Sequence, residues 1–390
     1  MADGFAMDRR LIKLSRRLGY SHQLIEEDDV QAVSEVLNSD FLTSGPAVTQ
    51  FEDNLADFCG SKYCVAVSNG TAALMCAYYS IGLKAGDEVI IPAITFAATA
   101  NMALHFGARP VFCDIDPSTF NIDHAKVESL ITCKTKAIVA VDFAGTPCDY
   151  AALLDIAKRH GIYLVDDAAH SFGAYWCDRR IGGIADVTTF SFHPVKTITT
   201  GEGGAVLTND TAMSQRARLF AGHGIIRGVS SENPWEYDDI DLGYNFRLTD
   251  FQAALGYSQM KKADRFIEER NRIAEVYDNE FSSAPYLSVQ RIDRKSRSSR
   301  HLYPVSFDLR QLGLSHSDIY RRYIDAGIYV GVHYKPVYML SLYSDLGYRS
   351  GLCDNAEKYY SGAVSLPLFV GLDSCEIEAV IDTTLHMRDA

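Results

Sequence analysis

A chain of 390 residues, 47% of them hydrophobic, can bury a sizeable core, and it contains no run of about 18 apolar residues able to cross a bilayer. Its formal net charge of −13 excludes a surface that tracks nucleic acid, which needs clustered Lys and Arg. Nine cysteines with no C-x-x-C pair and no His/Cys grouping predict neither disulfides nor a metal site, so reduced thiols in a cytoplasmic protein without membrane association are expected.

Residues 1–19 read as a polar lead-in without an apolar signal core. Short apolar, β-rich runs follow: YCVAVS (63–68), EVIIP (88–92), PVFCDI (110–115), KAIVAVDF (136–143), IYLVDD (162–167), VTTFSF (187–192) and GAVLTN (204–209). Several are apolar throughout, as strands covered on both faces must be. Helical stretches such as 71–83 and 149–160 lie between them, and the alternation predicts an α/β domain with a mostly parallel sheet. Beyond about residue 255 the texture changes to a long helical segment, ADRFIEERNRIAEVYDNEF, and a shorter strand-and-helix mixture. We therefore expect a large domain over 20–255 and a smaller α+β domain over 256–390.

Ligands of such sheets collect at the carboxyl ends of the strands, so the strand ends carry the functional reading. In VAVSNGTAAL (65–74) a strand meets a helix start. Asn69 or Thr71 can simply cap that helix; alternatively, free N–H groups of Thr71 and Ala72 with the Thr71 hydroxyl form an anion cup, which Gly70 lets the ligand approach. In GIYLVDDAAHSFGA a strand ends in acids that serve either as caps or as partners for a cationic ligand nitrogen, and His170 follows at a distance suited to lying against a planar ligand. In SFHPVKTITTGEGG, Lys196 sits between Ser191 and a glycine-rich turn. A lone lysine is usually solvated, but one in such a pocket can become nucleophilic by desolvation, as a Schiff-base lysine requires. All three features are accounted for together by pyridoxal 5′-phosphate, its phosphate on Gly70, Thr71 and Ala72, its pyridine nitrogen on Asp167 and its aldehyde on Lys196. No G-x-G-x-x-G follows a strand, which argues against a NAD-dependent nucleotide-sugar oxidoreductase.

Five segments in order, FLTSGPAVTQFE, SNGTAAL, DDAAHSFGA, SFHPVKTITTGEGG and GYNFRLTDFQAALG, make the chain resemble the DegT/DnrJ/EryC1/StrS sugar aminotransferases from about Tyr20 onward. The resemblance implies the aspartate-aminotransferase-like fold (pyridoxal-phosphate fold type I). It makes Lys196, Asp167 and His170 catalytic, with His170 stacked on the ring, and Thr71, Ala72 and Ser191 phosphate contacts. Asn245 becomes a residue given to the neighbouring subunit's phosphate site, hence a homodimer with shared active sites. Phe96 matches an aromatic position near the cofactor and reads equally as core. Thr43, Ser44, Arg247, His333 and Tyr334 are expected at the substrate, although Arg247 reads equally as a surface ion pair. Family members with histidine at the lysine position are dehydratases, so Lys196 favours transamination. The implied reaction aminates a nucleotide-linked 4-keto-6-deoxy sugar, expected to be UDP-linked, with an amino-acid donor, expected to be L-glutamate. A non-catalytic regulator with the same fold remains the alternative.

Overall fold

The computed structural model describes residues 16–228 and 233–388. The lead-in expected over 1–19 lies largely outside them, but its end is structured. Leu18–Gly19 form strand β1, and Leu18 is buried in the C-terminal core.

Seven strands build the central sheet: β2 (Tyr63–Val67), β3 (Glu88–Pro92), β4 (Arg109–Cys113), β5 (Thr135–Val141), β6 (Tyr163–Asp167), and, after the short hairpin β7 (Tyr175–Trp176) and β8 (Arg179–Arg180), β9 (Val187–Ser191) and β10 (Gly204–Thr208). Their order is β2-β10-β9-β6-β5-β3-β4. Strand β10 pairs antiparallel with both neighbours, and the remaining pairs are parallel. The continuous apolar runs follow from burial on both faces. Val65, Val67, Ile91, Val139 and Val141 enter one core, while Ala66, Ile90, Ile138 and Ala140 enter a second on the opposite face. The fold is α/β with a mostly parallel sheet, as expected.

The helix expected over 71–83 runs Gly70–Ser80. It ends early because Gly82, at φ 70°, turns the chain out of helical geometry. The helix expected over 149–160 runs Tyr150–His160, with Asp149 as its N-cap through a bond from Ala152 N–H and Gly161 as its left-handed C-cap. The long helix Ala263–Phe281 buries Phe266, Ile267, Ile273, Ala274, Tyr277 and Phe281 on one face. It leads to a third core around the antiparallel sheet of β13 (Leu287–Val289), β15 (Tyr303–Phe307) and β17 (Ala363–Leu366). Strand β1 pairs in parallel with β16 (Ile328–Tyr329), so the first described residues are tied to this C-terminal unit.

Candidate active site

The carboxyl ends of β2, β6 and β9 meet at one edge of the sheet. Val67 and Ser191 are both registered on Gly204, which brings the turn after β2 against the end of β9. This approach leaves no room for side chains. A Cβ on Gly70 would lie 2.8 Å from Ser191 Cβ, and one on Gly204 would lie 2.5 Å from the Asn69 carbonyl oxygen. Gly70 is thus required by backbone proximity, and it leaves the Ser191 hydroxyl beside the start of helix Gly70–Ser80.

One expectation for this helix start needs correction. Asn69 is the N-cap, its Oδ1 accepting the Ala72 N–H at 2.8 Å, so the Ala72 amide is already engaged. An Asn at this position satisfies the amide two residues into the helix from its own side chain. Gly70 and Thr71 remain as the backbone facing the cleft.

A cleft of about 660 Å³ opens over this edge. It is lined by Gly70, Thr71, Ala72, Phe96, Asp167, His170, Ser191, Lys196, His333 and Tyr334, so ten of the sequence-predicted residues converge on one volume. Among large apolar residues Phe96 is unusual here. It is 59% exposed and lines the cleft, so it is not a core residue.

Asp167 ends β6 and is buried, as expected of an acid at the edge of a covered sheet. Its Oδ2 accepts the Thr99 hydroxyl at 2.6 Å and its Oδ1 accepts the Ala169 N–H at 3.3 Å. Burial pushes its carboxyl above the usual range, opposed by those bonds and by the Lys196 charge. Lys196 lies on the connection from β9 to β10, half-buried, with burial lowering its ammonium to about 8 while Asp167 pulls it back up. An amine titrating near 8 carries a far larger neutral fraction at physiological pH than an ordinary lysine, which is what a nucleophilic lysine needs.

His170 is buried with both ring nitrogens engaged. The Ala144 N–H donates to Nδ1 at 3.3 Å, which leaves the ring proton on Nε2, within 3.2 Å of the Tyr334 hydroxyl. Burial and the nearby Lys196 charge push its imidazolium well below the ordinary histidine range, so the ring is neutral. His333 binds the Ser365 hydroxyl through Nδ1 at 2.8 Å, and burial takes it down to about 4.

Sequence reasoning missed several supports. Thr99 anchors Asp167. His301 packs its ring 4.5 Å from that of His170, and the Ser299 hydroxyl donates to the His170 carbonyl at 2.9 Å. Tyr20 lines the cleft and meets His333 edge-on at 5.1 Å. Thr99 lies about one helical turn beyond Phe96, a residue the sequence did single out, whereas residues 299–301 carry no local signature.

Four predicted residues lie elsewhere. Thr43, Ser44, Asn245 and Arg247 are exposed and do not line this chain's cleft. The segments are held together at the surface by the bridge Thr43 to Thr249 and by Asp250, whose carboxylate accepts the Gly45 N–H at 2.8 Å. The residues expected at the substrate therefore divide: His333 and Tyr334 line this chain's cleft, whereas Thr43, Ser44 and Arg247 lie exposed outside it.

Comparison with known families decides what this edge belongs to. The DegT/DnrJ/EryC1/StrS aminotransferase family matches residues 23–385. The chain belongs to that family. It is similar to the Campylobacter jejuni UDP-4-amino-4,6-dideoxy-N-acetyl-β-L-altrosamine transaminase, 37% identical over 375 residues, covering 95% of this chain and 98% of the relative. Its fold is similar to Helicobacter pylori PseC, an aminotransferase involved in pseudoaminic acid biosynthesis, at a TM-score of 0.91 and 35% identity over 96% of this chain and 100% of the other. The pyridoxal-phosphate form of the putative sugar aminotransferase Spr1654 from Streptococcus pneumoniae superimposes with a TM-score of 0.88 at 30% identity, covering 95% of this chain and 98% of that one. The protein is a pyridoxal 5′-phosphate-dependent aminotransferase. Its own residues fit that cofactor: a desolvated carboxylate with no cation bonded to it among the described residues, a lysine of depressed pKa, and a helix start kept clear by glycine share one cleft.

Proposed function

We propose that this enzyme transfers an amino group from an amino-acid donor, L-glutamate, to C4 of a UDP-linked 4-keto-6-deoxy sugar, the reaction class named for its Campylobacter relative. The carrying observation is the convergence of Lys196 and Asp167 on a cleft whose far wall is the Gly70 helix start.

Lys196 would hold the cofactor through its aldehyde carbon, and Asp167 would accept the pyridinium N–H. Gly70 and Thr71, with the Ser191 hydroxyl, take the phosphate at the positive end of the helix. The neutral His170 ring, fixed by the Ala144 amide and Tyr334, would pack against the bound cofactor. Once bound, the cofactor supplies an electron sink for the pair released when a proton leaves carbon. Lys196, its amine free once the donor's amine has displaced it, would move that proton, from Cα of the donor in one half of the exchange and to C4 of the sugar in the other, a task suited to an amine titrating near 8. His333, Tyr334 and Phe96 line the sugar's side of the cleft.

The exposed residues Thr43, Ser44, Asn245 and Arg247 act across a homodimer, with Asn245 reaching the partner's phosphate site. Support comes from the first of these segments and from the stretch just before the second, where Phe41, Leu42, Trp235, Tyr237 and Leu242 are exposed apolar side chains of the kind an interface covers. The reading includes a cytoplasmic location, consistent with the free thiols.

The test is an amination assay over UDP- and dTDP-linked 4-keto sugars with several donors, read by product mass. Amination restricted to other substrate classes overturns the substrate reading, and normal turnover by Lys196→Ala overturns the mechanism.

A further inference from the structure

Behind the cleft, on the opposite face of the sheet from Asp167, lie two more carboxylates. Asp166 precedes Asp167 on β6 and so projects the other way. Its register partner on β5 is Ala140, and Asp142 lies two residues further along that strand's path, on the same face as Asp166. Both acids are completely buried.

The two are unequally provided for. Asp142 accepts the Cys148 N–H at 2.8 Å on one oxygen and the Tyr150 hydroxyl at 2.9 Å on the other. Asp166 Oδ2 has only the Thr188 hydroxyl at 3.3 Å, and its Oδ1 has no hydrogen-bond partner among the described residues. Asp142 and Asp166 thus project from neighbouring strands onto one face, two residues apart in register, which places the two carboxyls near each other. The ionisable groups facing the pair are Tyr150, Cys148 and Asp167, and none is a cation. Ionising both of two neighbouring buried carboxylates is costly when no cation is among these groups, and the one with an unpartnered oxygen is the one favoured to be neutral.

We propose that Asp142 and Asp166 hold one proton between them, resident on Asp166, so that the acid pair behind the cofactor's carboxylate carries one negative charge instead of two. Asp166 is thus a positioning residue. Its neutrality spares Asp167 a like charge one residue away, and so keeps the cleft-facing acid able to ionise. Burial and the mutual repulsion raise both acids, in keeping with this assignment. The inference rests on the proposed pairing of Asp167 with the pyridine nitrogen for its purpose, but not for its existence.

Infrared difference spectra of the holoenzyme test the proton directly. Wild type at pH 7 should show a protonated carboxyl C=O stretch that shifts in D₂O, and Asp166→Asn should lose it. In the same variant the pH midpoint of the visible band joining Lys196 to the cofactor should stay in place, because one neutral group replaces another. An ionised Asp166 would instead give no such infrared band, and its removal would move the midpoint down by about one unit. Either of those results overturns the proposal. Should Asp166→Asn not fold, the wild-type band and its disappearance at high pH decide alone. A holoenzyme with the infrared band but no lysine-linked visible band would instead defeat the cofactor reading while leaving the shared proton in place.

Discussion

Replacing Thr99 by valine probes the most economical link in the site. The substitution keeps the shape of the side chain and removes the hydroxyl that donates to Asp167 Oδ2 at 2.6 Å, the shorter of the two bonds Asp167 receives. A hydrogen bond to a charged group contributes about 1.5–3 kcal/mol, and here it favours the ionised form in a buried setting. Its loss should raise an already elevated Asp167 further, by about one to two units at 1.36 kcal/mol each. Since the proposed pyridinium contact needs the carboxylate, apoenzyme affinity for pyridoxal 5′-phosphate should fall by about 10- to 100-fold at pH values below the Asp167 pKa, and by less above it. The pH dependence has a definite sign. Affinity is lost as pH falls through the Asp167 pKa, so in Thr99→Val the loss should begin at higher pH. Titrating apoenzyme by visible absorbance from pH 5 to 9 measures both effects, with a circular dichroism melt to establish folding. An unchanged affinity and an unmoved pH profile in a folded variant would refute the role assigned to Asp167.

Gly70→Ala should weaken cofactor binding by at least about tenfold, because its Cβ would meet Ser191 Cβ at 2.8 Å and overpacking of this order costs about 1–3 kcal/mol; equal affinity would remove Gly70 from the phosphate site. Asn69→Ala should lower stability by about 0.5–2 kcal/mol through the lost cap on Ala72, seen as a lower melting temperature. In apoenzyme, the reactivity of Lys196 toward an amine-directed reagent, followed by peptide mass, should rise about tenfold per pH unit up to about 8 and then level. Asp167→Asn should move that midpoint lower, since the Asp167 charge holds it up; a midpoint near that of an ordinary lysine would contradict the desolvated site.

Much of this arrangement was legible because strands covered on both faces must be apolar throughout. All seven runs read in the sequence became strands of the central sheet, with ends within two residues of those expected. Site residues lying at strand ends, Asp167 and Ser191 among them, were legible for the same reason. Thr99 was not, because a threonine on a helix carries no sign of which acid it will meet 68 residues away. The Ala72 amide was misjudged because a capping Asn and a phosphate cup use the same sequence, and only side-chain geometry separates them. Residues 41–44 and 245–247 were legible as family segments, but the sequence carried no sign that Thr43, Ser44, Asn245 and Arg247 would lie exposed outside this chain's cleft.

The direction of β10 matters most. Alternation of apolar runs predicts strands but not their sense, and a further parallel strand would have required the chain to leave β9 and cross back to the opposite edge of the sheet. Instead β10 returns antiparallel beside β9, with Gly204 opposite Ser191. The connection over 192–203 therefore stays at the carboxyl edge. It is closed by the Phe192 N–H to the Gly203 carbonyl at 2.8 Å and the Thr200 N–H to the Phe192 carbonyl at 3.0 Å, with the Thr199 hydroxyl on that same carbonyl. Gly203 is needed because a Cβ there would fall 2.0 Å from Thr200 Oγ1. Lys196 rides on this closed loop, whose footing is fixed by two adjacent strands, and so faces the end of β6. The single reversed strand is thus what converts an ordinary carboxyl-edge ligand cleft into one where a lysine and an acid from successive strands confront the same ligand.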